Sequence, residues 1–212
     1  MKEWTRKEIE EQIIGKVKAI TVPVNVRVEG EHRILETTEL ESILRKAKFI
    51  GKQACGCRKM MGNCSPAIQS DDGCISIYDT ESELLNDSSA KQVTVEEALE
   101  GLKRTSRAGL VHMAYIFSGR EEPNLICSCC DCCCHTMGAV RKMGYKNQLF
   151  PSRLVAVQNQ DLCNACGLCA ARCRFGARAI FEKKLRYKAE ECFGCGVCLE
   201  TCPTGAISMA DR

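Results

Sequence analysis

The chain has 212 residues, 45% apolar and 27% charged, with a net charge of +3. This excludes a disordered or collagen-like chain and leaves room for one or two packed domains. The most apolar short run, GLVHMAYIF, holds nine residues including a histidine, far short of the roughly 20 needed to span a bilayer.

The small net charge hides a polarity. Residues 68–102 carry nine Asp or Glu against one Lys, and residues 141–188 carry eleven Lys or Arg against two acids. Such a basic face can steer the acidic docking face of a redox partner protein, although a plain solvated surface is the simpler alternative. The start, MKEWTRKEIEEQ, is charged and lacks an apolar signal-peptide core, so a cytoplasmic location is expected and no membrane partner.

The 18 cysteines would read as a disulfide framework in a short secreted domain. Here they are clustered at close spacing, and sequence neighbours do not readily reach disulfide geometry. Metal ligation in a reducing cell, such as an anaerobe, is the better account.

In chain order, Ile9, Ile13 and Val17 stand four apart and predict an amphipathic helix over 7–17. Val22, Val24, Val26 and Val28 then alternate with Pro23, Asn25, Arg27 and Glu29, which predicts a half-buried strand, with Pro23 favouring a sheet edge. TELE at 38–41 is a capping box. It opens a helix with Leu40, Ile43, Leu44 and Ala47, with Gly51 expected just past its end. TVEE at 94–97 opens another, with Ala98, Leu99 and Leu102, and Gly109 near its exit. LVHMAYIF reads as a strand, SGREEPN as a turn and LIC as a returning strand. A helix followed by a hairpin has the outline of a winged helix, a unit many folds contain. TMGAVRKMG predicts a helix with Met137, Val140 and Met143 inside and Gly144 as its stop. The cysteines just before it would lie at a helix N-terminus, where backbone N–H groups lower thiolate pKa values.

The strongest signal is a repeat. CNACGLCAARC places Cys163, Cys166, Cys169 and Cys173, and CFGCGVCLETCP places Cys192, Cys195, Cys198 and Cys202. Both are C-x2-C-x2-C-x3-C, whereas zinc motifs show two separated C-x2-C pairs. Residues 153–210 resemble the bacterial-type ferredoxins with two [4Fe–4S] clusters. The resemblance implies that Cys163, Cys166, Cys169 and Cys202 hold one cluster and that Cys192, Cys195, Cys198 and Cys173 hold the second. It also implies terminal strands at RLVAV and AISM and a central hairpin at AIFEKKLRYKAE. Arg174 stands where the family places proline after the fourth cysteine, whereas Pro203 keeps the rule. Arg172, Arg174 and Arg178 can raise the potential of the nearby cluster or bind an acidic partner.

Ten cysteines remain: Cys55, Cys57, Cys64, Cys74, Cys127, Cys129, Cys130, Cys132, Cys133 and Cys134. They suffice for one cubane, for two with two thiols spare, or for one larger cluster. In an extended reading Cys130, Cys132 and Cys134 face one way, and Cys127, Cys129 and Cys133 the other. Two histidines are candidate ligands beside them. His112 is otherwise a buried, hydrogen-bonded histidine, and His135 abuts the run. Asp131 is a solvated spacer or an iron ligand. The C-x-C-R motif CGCR, the helix exit AGLVH and the run CSCCDCCC, followed by a dicluster domain, also look like a group of iron–sulfur proteins of anaerobes. That likeness implies an architecture and no reaction.

The expected fold is α+β. An N-terminal cysteine-rich domain of helices and hairpin, with winged-helix character, spans 1–150, and a ferredoxin-like two-cluster domain spans 151–212. The leading functional expectation is an electron-transfer protein, free or as a subunit of a larger redox complex or homo-oligomer. It would relay electrons between two C-terminal [4Fe–4S] clusters and one or two further N-terminal clusters. The alternatives are an oxidoreductase acting at an unusual N-terminal cluster, and a redox- or metal-responsive regulator. Nucleic acid is disfavoured because the turn at REEPN is acidic. No phosphate-binding, flavin, nicotinamide or H-E-x-x-H pattern is present.

Overall fold

The computed structural model describes residues 2–12, 14, 17–21, 28–30, 33–35, 39–64, 73–117, 123–145, 149–182 and 184–212. The chain opens with α1 (Arg6–Gln12), β1 (Val17–Thr21), β2 (Val28–Gly30) and β3 (Arg33–Leu35), then α2 (Glu39–Lys46), β4 (Phe49–Gln53), α3 (Gly56–Met61) and β5 (Cys74–Tyr78). It continues through α4 (Glu81–Asn86), β6 (Lys91–Gln92), α5 (Val95–Arg107), β7 (Val111–Phe117), β8 (Leu125–Cys129), α6 (His135–Met143) and β9 (Leu149–Phe150). Last come β10 (Leu154–Gln158), α7 (Leu168–Ala171), β11 (Arg178–Phe181), β12 (Lys184–Tyr187), α8 (Val197–Thr201) and β13 (Ile207–Asp211).

Several expectations are met. Thr94 caps α5 in a reciprocal box with Glu97. Gly144, at φ 78°, stops α6 in the left-handed region, where glycine escapes the Cβ clash. The expected ferredoxin strands pair as β10–β13 and β11–β12. Others change. The first helix ends at Gln12, and Val17 belongs to a strand that pairs with both β7 and β9. Gly51 lies inside β4, where a Cβ would approach Ala90 and Tyr78 side chains at 2.9 Å. Val22, Pro23, Val24 and Val26, Thr38 of the first capping box, and most of the SGREEPN turn lie outside the described residues.

A seven-stranded sheet, ordered β6-β4-β5-β8-β7-β1-β9, organises residues up to 150. The β7–β8 hairpin is not a free wing, since β5 pairs with β8 and β1 with β7 along its outer edges. Strand alternation sorts its side chains by face. Ala114 and Ile126 pack with Ile50, Ile75, Leu40 and Leu44 of α2, and Ala98 and Leu102 of α5. Val111, Met113, Tyr115 and Cys129 pack on the other face with Met137 and Val140 of α6. Each large apolar side chain buried in these layers contributes about 2 kcal/mol.

That second face also receives the C-terminal segment. Val197, the first residue of α8 and 2% exposed, is part of the same apolar cluster, with Phe175, Phe193 and Cys195 packed against it. The two phenyl rings stack at 4.3 Å. Polar ties flank the contact: Arg172 Nη1 donates to Arg107 O at 3.0 Å, and Arg174 Nη1 lies 3.3 Å from Asp131 Oδ1. No helix among the described residues is long and apolar enough to cross a membrane.

Candidate metal centres

The two C-x2-C-x2-C segments fold as loops that each run into a short helix. Gly167 and Gly196 enter α7 and α8 at φ 76°, a backbone conformation costly for any residue with a Cβ. Two cavities result. One is lined by Cys163, Cys166, Cys169 and Cys202. The other is lined by Cys192, Cys195, Cys198 and Cys173. The last cysteine of each repeat thus crosses to the cavity of the other, which is the arrangement a pair of cubanes requires. Backbone N–H groups already point at sulfur, from Arg178 to Cys173 Sγ at 3.3 Å and from Gly194 to Cys192 Sγ at 3.4 Å.

Arg178 sits between these cavities, 2% exposed. One guanidinium nitrogen donates to Gln158 Oε1 at 2.5 Å, and Cζ lies 4.1 Å from the Tyr187 ring centre. Nε and Nη2 are buried with no hydrogen-bond partner among the described residues. Its charge acts on Cys169 and Cys198 alike. A buried cation with orphaned donors costs several kcal/mol unless an anionic group answers it. An anionic sulfur cluster in either cavity would do so. Burial pushes Cys195 up to about 12 and, against the pull of Arg178, Cys198 up to about 11. In the bare chain these thiols keep their protons, and metal loading must release them.

The other ten cysteines divide into six and four. Cys74 on β5 stands opposite Cys127 on β8, and Cys129 follows two residues on, so strand periodicity places Cys127 and Cys129 on one face. Cys55 and Cys134 are the N-cap residues of α3 and α6. Electrostatic coupling links the thiol of Cys55 to those of Cys57 and Cys74, Cys74 to Cys127, Cys127 to Cys129, and Cys129 to Cys134. The charge of Cys134 also reaches Cys57, so the six thiols form one loose ring of electrostatic neighbours.

Charge is unevenly spread around it. Cys55 is held well below the ordinary thiol range by the S–H of Cys57, then that of Cys74, with the Arg58 N–H and guanidinium adding to them. Cys57 is raised by Cys55 and burial, Cys129 by Cys127 and burial, and Cys134 by Cys129 and burial. Arg58 is itself buried and donates to Ser128 O at 3.0 Å. Tyr115 donates its O–H to Thr136 Oγ1 at 3.0 Å and lies 4.0 Å from Cys134 Sγ. Arg58 was visible only as the last letter of CGCR, and Tyr115 only as a residue in phase with Met113 on the strand.

The second group is Cys64, Cys130, Cys132 and Cys133, whose four sulfurs all lie within 4.8 Å of one another. The extended reading of the run is therefore corrected at its end. Residues 131–133 form a turn, which resets the alternation: Cys133 joins Cys130 and Cys132, and Cys134 joins Cys127 and Cys129.

The histidines part company. His135 Nδ1 lies 3.2 Å from Cys57 Sγ at the edge of the ring. His112 lies on the helix side of β7, 1% exposed, with Nε2 2.9 Å from Thr105 Oγ1. Burial lowers its pKa to about 4, so it is neutral. Asp131 pairs with both Arg141 and Arg174.

The donor sets and the buried guanidinium thus suit anionic iron–sulfur groups in the C-terminal segment. The sequence profile of the 4Fe-4S dicluster domain matches residues 162–206. No curated protein matches the chain. Residues 162–206 are similar to iron–sulfur dicluster domains, whose general role is electron transfer.

Proposed function

We propose that the chain is an electron-transfer protein in which the dicluster segment exchanges electrons with a third iron–sulfur centre held by Cys55, Cys57, Cys74, Cys127, Cys129 and Cys134. On this reading the cysteine-rich N-terminal domain spans 1–150 and the dicluster domain 151–212. The observation that carries the reading is a single apolar cluster. Cys127, Cys129 and Cys134 of the ring and Cys195 of the second cavity pack into it together, joined by Val197 and Phe193.

When bound, iron–sulfur clusters supply reversible one-electron transfer. The chain supplies the rest. Val197, Phe175 and Phe193 exclude water between the second cavity and the ring, which lowers the reorganisation needed for each transfer. Arg178 offsets negative charge in both cavities. At the other end Cys166 is exposed, and Leu162, Leu168, Ile180 and Phe181 of the same segment are exposed too; this is where a partner with an acidic rim would exchange electrons.

The test is EPR of the anaerobically purified, fully reduced chain. Three centres are expected, with the third magnetically coupled to one of the two cubanes and absent in Cys129→Ser. Eight irons per chain and only the two cubane signals would overturn the reading.

One observation favours an oxidoreductase as second reading. His135 Nδ1 lies 3.2 Å from Cys57 Sγ and both residues are part-exposed, which sets a group able to exchange a proton at an edge of the ring. Small-molecule substrates that perturb the EPR signal of the third centre would select that reading, and an unchanged signal across them would dismiss it.

A further inference from the structure

We infer that Cys64, Cys130, Cys132 and Cys133 bind a single tetrahedral metal ion, zinc or iron, and not a share of an iron–sulfur cluster. The ruler is sulfur separation. Cys64 Sγ lies 3.2 Å from Cys130, 3.4 Å from Cys132 and 3.4 Å from Cys133, and Cys132 lies 3.8 Å from Cys133. A metal–sulfur bond of about 2.3 Å sets tetrahedral S···S edges of roughly 3.8 Å. A cubane instead carries its four thiolates on four separate irons with sulfides between them, and so spreads them well beyond contact.

The rest of the molecule provides the comparison. Among the described residues no other three cysteine, histidine or acidic ligand atoms lie within 4.8 Å of one another. No three thiols of the dicluster segment or of the ring converge in this way among the described residues. Four sulfurs already at contact distance leave no room for bridging sulfide.

The surroundings are those of a closed site. Cys130, Cys133 and Cys64 are 3%, 1% and 8% exposed, against Met61, Leu110 and Trp4. The peptides bearing the ligands are held from outside: Trp4 Nε1 donates to Cys133 O at 2.8 Å, and Asn63 Nδ2 donates to Cys132 O at 3.0 Å and to Lys2 O at 2.9 Å. Such outer hydrogen bonds orient metal ligands. On binding, one divalent ion replaces four thiol protons, which leave to solvent, and the site gains a net charge of about −2. With four thiolates bound the ion has no open position for a substrate, and it holds the chain in place. That role is specific, because Cys130 follows Cys129 and Cys133 precedes Cys134. The ion clasps the turn that delivers those two thiols to the ring.

The experiment is metal and acid-labile sulfide analysis of the full chain, purified anaerobically, against Cys64→Ser and Cys132→Ser. Each variant is expected to lose one metal equivalent and no sulfide. Loss of several irons with matching sulfide, or no loss at all, would overturn the assignment. Where a variant fails to fold, the unaltered chain carries the test. X-ray absorption at the zinc edge, or Mössbauer spectroscopy where the extra metal is iron, should show a mononuclear tetrathiolate site. A metal neighbour at that site, or iron that is entirely clustered in a chain that holds no zinc, would overturn the assignment. Neither result depends on what the six-thiol ring holds.

Discussion

Cys133 and Cys134 are joined by one peptide bond, yet their thiols belong to different groups. Cys133 Sγ lies 3.4 Å from Cys64 Sγ, whereas Cys134 is the N-cap residue of α6 and its thiol is coupled to that of Cys129. Two serine substitutions at adjacent positions should therefore have different chemistry. Cys134→Ser should lower both iron and sulfide through the N-terminal centre. Cys133→Ser should remove one metal equivalent and leave sulfide unchanged. Metal and sulfide analysis of the two variants side by side decides it, and identical losses would merge the two groups.

Asp131 lies in the middle of the same run and pairs with Arg141 and with Arg174, the residue that replaces the expected proline. The carboxylate is 28% exposed, so Asp131→Asn should cost about 1 kcal/mol or less. Denaturant unfolding should show that small shift with iron content intact. A variant that loses iron would make Asp131 a ligand.

Arg178 places a buried positive charge beside both cavities. Removing it in Arg178→Gln should stabilise the oxidised, less negative state of the neighbouring clusters. The midpoint potentials should fall on the order of 40 mV, which corresponds to about 1 kcal/mol for one electron. An EPR-monitored redox titration reads the shift, and unchanged or higher potentials would refute the role.

His112 gives a pH dependence with a definite sign. Its folded pKa is depressed to about 4 from 6.5 by burial, so between these values the unfolded chain binds the proton more tightly. Its contribution is fully present above pH 6.5 and is lost as pH falls towards 4, amounting to about 3 kcal/mol. The difference in unfolding free energy between the original chain and His112→Gln should shrink over that window. A difference that stays constant from pH 7 to 4 would show that His112 does not titrate there.

Local signals in the sequence were good guides to local structure. Thr94 and Glu97 announce the start of α5, Gly144 announces the end of α6, and the doubled cysteine spacing announces two like loops, whose crossed donors only the ferredoxin resemblance implied. Long-range arrangement was less legible. The alternation of Val111, Met113 and Tyr115 identifies a two-faced strand, but nothing local says that Val197 will complete one of its faces. In the cysteine run, strand periodicity correctly pairs Cys127 with Cys129. It fails at Cys133 because three cysteine- and aspartate-rich positions turn without a glycine or proline to mark the turn. Cys64 joins that run from 66 positions away, a meeting set by the sheet and invisible to spacing.

The most direct test of the electron relay is freeze-quench EPR after rapid reduction of the full chain, with Cys195→Ala, which damages the second cavity, as comparison. The relay predicts that the N-terminal centre is reduced after the cubanes in the original chain and at least tenfold more slowly in Cys195→Ala. Equal rates in the two proteins would contradict it.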